Sequence, residues 1–499
     1  MPAQPRPDRI LHGSIPVETL RFGLPIAAGM GLQTVFNLVD AYIVSRLTPD
    51  VAGPALGAIG ICDQLTAIGT ILSYGLTTAS AALIAQAHGR GDKAEVRRIA
   101  WQSMLAVGAL SILFGLASIL LAGPIVAGAV GAKGKVSELG TEYLRVIGGG
   151  SFSIYFLFQL TGIQRALGSA KTPVALLVLS NVLNLFLAVL LVYGPGPAPP
   201  VFGWGPVIAS ALHIPRLELV GAAWATVLAR TLTLIPVVIL LARRFDVMGR
   251  ASIEKPDRAV LGSILRMGWP SSAQFVVRML AMLLTHSLVA RLFTTATDQS
   301  ATTALGIVFR LETMAFFIAM GWGSAAQTFV AQNLGAGQRG RARQSGVLSA
   351  VYSGVMLLLV AFAFARYGTP ITEFFDKSPT VVAISTTYIA YMVWSYVGLG
   401  TGVVLGSAIT GSGATRTTLL TDLGIVLAMQ VPASLLAVLL PGASLERLWT
   451  AIAITYVASA IAYVIVFRFV RWMDAMTGAH VKDPKTAPPE AEPEATRLA

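Results

Sequence analysis

Gln33, Asn37 and Asp40 stand at i, i+4 and i+7 in the first long apolar stretch of the chain. That spacing puts two amides and a carboxylate on one helical face. An ionisable side chain at bilayer depth costs at least ~2.5–3.5 kcal/mol, so this face must look at protein or water rather than lipid. The chemistry it offers is carriage of a proton or a small cation by Asp40. The competing reading is a hydrogen-bonded structural carboxylate. Ser180, Asn181 and Asn184 follow in a later apolar stretch, and Thr226, Arg230 and Thr233 repeat the i, i+4, i+7 spacing in the next. Their amides and hydroxyls can bond Asp40 in either protonation state. For Asn181 and Thr233, packing between helices is the preferred role.

The second half of the chain repeats the first. Gly75–Asp92 reads GLTTASAALIAQAHGRGD and Gly321–Gln338 reads GWGSAAQTFVAQNLGAGQ, with Gln86 and Gln332 separated by 332 − 86 = 246 positions. Leu24-Pro25 returns as Trp269-Pro270, and Gly168-Ser-Ala-Lys-Thr172 returns as Gly413-Ala-Thr-Arg-Thr417, at nearly the same offset. A duplicated membrane half is the usual construction of a secondary transporter, with substrate handled between the repeats. In this register Gln33, Asn37 and Asp40 map onto Arg278, Met282 and Thr285. The second half has therefore lost a carboxylate and gained a fixed positive charge. Arg278 either neutralises Glu312 or meets a substrate. Gln274 lies one turn before Arg278, and His286, beside Thr285, reads as a satisfied core histidine. Tyr388, Tyr391, Trp394 and Ser395 make an aromatic face suited to flat organic molecules, or to ordinary packing.

The elements that position these residues are membrane helices. With 499 residues, 55% of them hydrophobic and 12% charged, and a mean hydropathy of +0.71, the chain is excluded from the ordinary soluble class. Twelve apolar stretches reach the roughly 20 residues needed to span, and none shows the ~10-residue alternation of a barrel strand. The expected fold is all-α and polytopic, in two six-helix lobes over 15–243 and 260–472, joined by a cytoplasmic linker at 244–259. Residues 473–499, rich in Pro, Ala and Glu, are expected to be a disordered cytoplasmic tail. The net charge of +12 sits in alternate loops, such as Arg90/Lys93/Arg97/Arg98 and Arg339/Arg341/Arg343. That is a topology signal placing both termini in the cytoplasm, not a nucleic-acid footprint. Cys62, the only cysteine, permits no intrachain disulfide and reads as a small buried hydrophobe. The first residues lack the layout of a cleavable signal peptide. The Pro/Gly-rich segment at 195–217 has no counterpart in the second half; it either caps the outer opening or is a tolerated insertion.

An ordered set of short motifs at span positions carries a family resemblance. It includes Phe36–Asp40 (FNLVD), Arg165–Pro173 (RALGSAKTP), Ser180–Asn184 (SNVLN), Gly221–Thr226 (GAAWAT), Ala325–Gly337 (AAQTFVAQNLGAG) and Gly411–Arg416 (GSGATR). Over residues 15–472 the chain resembles the multidrug and toxic compound extrusion antiporters, of the multidrug/oligosaccharidyl-lipid/polysaccharide flippase superfamily. The resemblance implies a V-shaped, two-lobed fold, rocker-type alternating access, and export driven by proton or sodium entry. It puts Asp40, Asn184 and Thr226, with Asn37 beside them, at a cation-coupling site in the N-terminal lobe. It also marks departures. The acid expected four residues after Asn184 is Ala188, the seventh-span glutamate of the sodium-coupled branch is Arg278, and the tenth span lacks its aspartate.

The resulting expectation is an antiporter and not an enzyme, since no nucleophile elbow, phosphate loop or metal-ligand cluster is found in the sequence. It would export small amphipathic organic molecules from the inner membrane in exchange for protons, with sodium less favoured. Its cavity would be lined by Gln33, Gln274, Arg278, Glu312, Tyr391 and Trp394. No cofactor, metal or nucleic acid is expected; the partners are the organic substrate and membrane lipid, and the protein is expected to be a monomer. A lipid or lipid-linked oligosaccharide flippase is the alternative, sustained by Arg230, Arg278 and Arg310. The major facilitator superfamily is disfavoured because His88 stands where its loop motif requires Gly.

Overall fold

The computed structural model describes residues 9–247, 253–295 and 297–475. Most of the expected tail and part of the expected linker lie outside these residues, as does the side chain of Asn37.

A backbone in hydrocarbon must satisfy every N–H and C=O internally, and the long apolar runs do so as helices. Twelve are long and apolar enough to cross a bilayer. Spans 1 to 6 are Ile15–Ser45, Pro49–Gly89, Lys93–Ala129, Gly134–Ala166, Lys171–Tyr193 and Glu218–Phe245. Spans 7 to 12 are Arg258–Leu292, Ser300–Gly335, Arg339–Phe375, Pro379–Gly411, Thr415–Leu439 and Leu445–Phe469. Large apolar side chains such as Leu120 (71% exposed), Leu359 and Ile461 point outward, the arrangement that lipid rewards. Each group of six spans packs into a lobe, and spans 1, 2, 7 and 8 carry most of the contact between lobes.

The repeat is legible in that contact. Gly75 of span 2 lies against Gly268 and Ser272 of span 7, and Gly321 of span 8 lies against Ile26 and Ala27 of span 1. Where spans 2 and 8 end, Gln86 donates through Nε2 to the carbonyl of Gly411 (2.8 Å), and Gln332 donates to that of Ala166 (2.7 Å). Donors and acceptors are both repeat mates. Gly89 and Gly335 allow the close approach: a Cβ on either would stand 2.0 or 2.1 Å from the carbonyl oxygen of Gln332 or Gln86. Among the described residues, side-chain hydrogen bonds between lobes fall in the halves of the spans nearest the basic loops. The molecule is shut at that end, and a cavity of about 700 Å³ lies between the lobes beyond it.

Three helix irregularities shape the cavity. Span 4 breaks at Gly150, span 10 carries a short 3₁₀ turn at Val393–Ser395, and span 11 passes through a π segment at Val426–Gln430. Val426 and Gln430 both face the cavity, a common use of a π segment. The 195–217 segment folds into a short helix, Trp204–Ala211, whose Trp204 ring stacks on Phe186 and whose Gly205 fits over Val189. It is anchored to the N-terminal lobe and supplies none of the cavity wall. What remains of the linker is strapped to span 3. Gln102 bonds both the Lys255 carbonyl and the Asp257 amide, Trp101 bonds Glu254, and Arg98 bonds the Asp257 carboxylate.

Candidate functional site

In the N-terminal lobe, spans 1, 5 and 6 assemble the residues the sequence singled out. The Asn184 amide nitrogen donates to both oxygens of Asp40, at 2.8 and 2.9 Å. Thr226 donates to the Asn184 oxygen (3.1 Å) while its hydroxyl also reaches the Ala222 carbonyl one turn back. One turn back along span 5 and about two along span 1, Asn181 donates to Gln33 (3.0 Å). Asp40 thus has neutral partners only. Arg230 of span 6 and Asp63 of span 2 stand near enough to feel its charge without forming an ion pair with it. A carboxylate held this way can take up and release a proton or cation without breaking a salt bridge. Protonation turns one oxygen from acceptor to donor and so disturbs an Asn184 bond, which links occupancy of Asp40 to the fit of span 1 on span 5. Ala188, at the position where an acid was sought, is buried against apolar neighbours. Cys62 is fully buried, its thiol directed at the Gly140 carbonyl.

The C-terminal lobe corrects several expectations. Arg278 does not pair with Glu312. Its Nε lies 2.9 Å from Asp422 of span 11, whose other oxygen accepts from Tyr463 (2.7 Å). Glu312 accepts instead from Tyr388 and Tyr456. Helix rotation explains this: Asp422, in the regular helix one turn before the π segment, projects toward span 7, while Glu312 faces spans 10 and 12. Gln274 bonds the Tyr463 hydroxyl (3.2 Å) behind the cavity wall rather than lining it. Tyr391 and Trp394 are also absent from the cavity. They lie on the outer surface, 45% and 46% exposed, with Trp394 edge-on to Phe362. Tyr388 is the aromatic residue of that span that reaches the cavity, and each i+3 step from it, to Tyr391 and to Trp394, turns about 60° further from that face. Arg310 lies over the Phe375 ring and is exposed, outside the cavity. His286 bonds the Met282 carbonyl and meets Phe309 edge-on.

Of the residues expected in the cavity, Gln33, Arg278 and Glu312 line it. Ser180, Asn181 and Arg230 join the wall from the N-terminal lobe, so it touches the Gln33–Asn181 pair, about two turns of span 1 from Asp40. Asp422, Tyr74, Arg165, Phe275 and Phe316 line it too and were not expected to. Two of the overlooked acids had a usable signal. Asp63 and Asp422 are ionisable residues well inside spans 2 and 11, the criterion that found Asp40. The aromatic residues had none, because phenylalanine in an apolar helix looks the same facing lipid or cavity.

Comparison with known proteins agrees with this architecture. The MatE family model matches residues 25–190 and 270–436, two segments displaced by the offset of the internal repeat. The FAD transporter of Shewanella oneidensis is 25% identical, over 90% of this chain and 95% of its own length. The probable multidrug resistance protein NorM of Thermotoga maritima is 24% identical, over 80% of each chain. Among solved structures, a superfamily transporter from Pyrococcus furiosus, described as having a binding pocket of reversed polarity, superposes with a TM-score of 0.81 at 22% identity. That match covers 95% of this chain and 99% of the other. A family transporter described as outward-facing superposes with a TM-score of 0.78 at 23% identity, covering 93% and 98%.

Proposed function

Since the chain belongs to the MatE family of multidrug and toxic compound extrusion transporters, we propose that it is a secondary antiporter exporting small amphipathic organic molecules in exchange for protons. The carrying observation is Asp40, a membrane carboxylate bonded through both oxygens to a neutral amide. Substrate occupies the cavity between the lobes, and Asp40 takes the proton about two turns along span 1 from the wall residue Gln33. Arg230 faces both, so the charge state of Asp40 is felt at the substrate site. Protons are favoured over sodium because the C-terminal acids are already engaged, Asp422 by Arg278 and Glu312 by two tyrosines. Alternating access requires the paired Gln86 and Gln332 bonds to break while the opposite ends close. The basic loops support a cytoplasmic position, at the inner membrane, for this seam and both termini. The protein works as a monomer.

The test is dye export from proteoliposomes under an imposed pH gradient, with and without a sodium gradient. Export driven by the pH gradient and abolished by Asp40→Asn in folded protein is the expected result. Unchanged export by that variant removes Asp40 from the mechanism.

A second reading concerns cargo. Arg165, Arg230 and Arg278 all line the cavity, and one relative is an FAD transporter, which favours organic anions as substrates. The flippase alternative loses support, since Arg278 is neutralised by Asp422 and Arg310 lies outside the cavity.

A further inference from the structure

The three cavity arginines are not equivalent. Arg278 has a carboxylate at 2.9 Å, and Arg230 faces Asp40 and Asp63. Arg165, at the end of span 4 nearest the closed seam, has neither. Among the described residues no carboxylate comes within salt-bridge distance of it and no side-chain hydrogen bond engages it; its electrostatic neighbour is the ring of Tyr74. A guanidinium in so enclosed a place is costly unless something meets its charge. Thr77 is a second, independent sign. Its side chain is 3% exposed, lines the same cavity, and its Oγ1 has no hydrogen-bond partner. The two side chains converge over Gly162, Thr77 through its methyl. A Cβ built there would lie 2.7 Å from Thr77 Cγ2 and 3.7 Å from Arg165 Nη2. Above them Tyr74 meets Phe275 edge-on, ring centres 4.6 Å apart, and Phe275 in turn meets Phe316.

We infer that Arg165 and Thr77 bind a carboxylate or phosphate group carried by the substrate, while Tyr74, Phe275 and Phe316 take its apolar body. The inference rests on the reading of this cavity as the substrate site. The guanidinium fork of Arg165 suits the oxygens of either anion through charge-assisted bonds, and a χ1 rotation that exchanges the Thr77 methyl for its unpartnered hydroxyl adds a donor. The subsite is one-sided: the repeat mate of Arg165 is Thr410, so the anionic end of the cargo lies toward the N-terminal lobe. This places the anion on the side of the cavity opposite Glu312, and like-charge contact is avoided.

The same phosphate chemistry could arrive on a soluble aromatic compound or on a lipid. The test is calorimetric titration of the full chain in phosphatidylcholine nanodiscs. One arm compares 1-naphthyl phosphate with 1-naphthol, the other dihexanoyl phosphatidic acid with dihexanoylglycerol. The expected result is at least about tenfold tighter binding of the anion in one arm, which identifies the source. Arg165→Gln should erase that preference and Arg165→Lys should keep part of it. Thr77→Val, a milder change, should reduce it by about threefold. Equal binding of anion and neutral partner in both arms, or a preference that survives Arg165→Gln, overturns the inference. The readout needs no transport, so an anion preference in a protein that fails to export would sink the antiporter reading alone. Asp40-dependent export without that preference would sink this inference alone.

Discussion

The two lobes hold their membrane acids in different ways. Asp422 in the C-terminal lobe has a guanidinium at 2.9 Å and a tyrosine hydroxyl at 2.7 Å, while Asp40 in the N-terminal lobe has an amide and no ion pair. Proton uptake at Asp422 would strand the Arg278 charge, so that pair is fixed. Proton uptake at Asp40 rearranges hydrogen bonds between neutral groups and leaves no orphan. Glu312 stands between these extremes, bonded by two tyrosines that are themselves uncharged. Carboxylates descended from, or added to, the same repeated framework thus differ in whether their partner carries a charge. That distinction separates a structural acid from one that can carry a proton.

Breaking the fixed pair should give the largest effect. Arg278→Met or Asp422→Leu alone leaves a buried charge unmatched and should cost about 3–5 kcal/mol, seen as a large drop in thermal stability. The double variant Arg278→Met/Asp422→Leu should recover most of it. If the single and double variants are equally unstable, the pair is not what couples spans 7 and 11. At Glu312 the effect should be smaller. Tyr456→Phe removes one of its two donors and should cost about 1–3 kcal/mol, while leaving the pH dependence of export unchanged if Asp40 alone carries the proton. A shift of that pH profile would promote Glu312 to a second carrier. The seam offers a test of similar size. Gln86→Ala with Gln332→Ala should open the basic-loop end, so that Ala331→Cys, now buried, is labelled several-fold faster by a water-soluble maleimide. Cys62 is buried and gives little background. The smallest effect is expected at the lipid surface. Trp394→Ala should leave substrate affinity within about twofold, whereas Tyr388 lines the cavity and its loss should be felt.

The sequence made the spans, the repeat and the Asp40–Asn184–Thr226 constellation readable for a physical reason. Lipid enforces long apolar runs, and polar residues inside them stand out in proportion to what their burial costs. Asn184 and Thr226 were found by that contrast. The partner of Arg278 was not, because choosing between Glu312 and Asp422 depends on helix rotation. Rotation of a helix about its own axis leaves no residue-type signature. The misplacement of Tyr391 and Trp394 has the same origin. With Tyr388 facing the cavity, a regular period of about 3.6 residues already carries Tyr391 and then Trp394 progressively off that face.

The seam between spans 2 and 8 has a further implication for ancestry. Gln86 with Gly411, and Gln332 with Ala166, make one contact twice, related by the exchange of the two halves. A surface that fits its own copy in this manner is what an isologous dimer of identical six-span chains would present. Fusion of two such chains would preserve the interface while freeing each half to diverge elsewhere, as Asp40 and Thr285 have done. Symmetry persists where the halves grip each other and is lost around the cavity and Asp40.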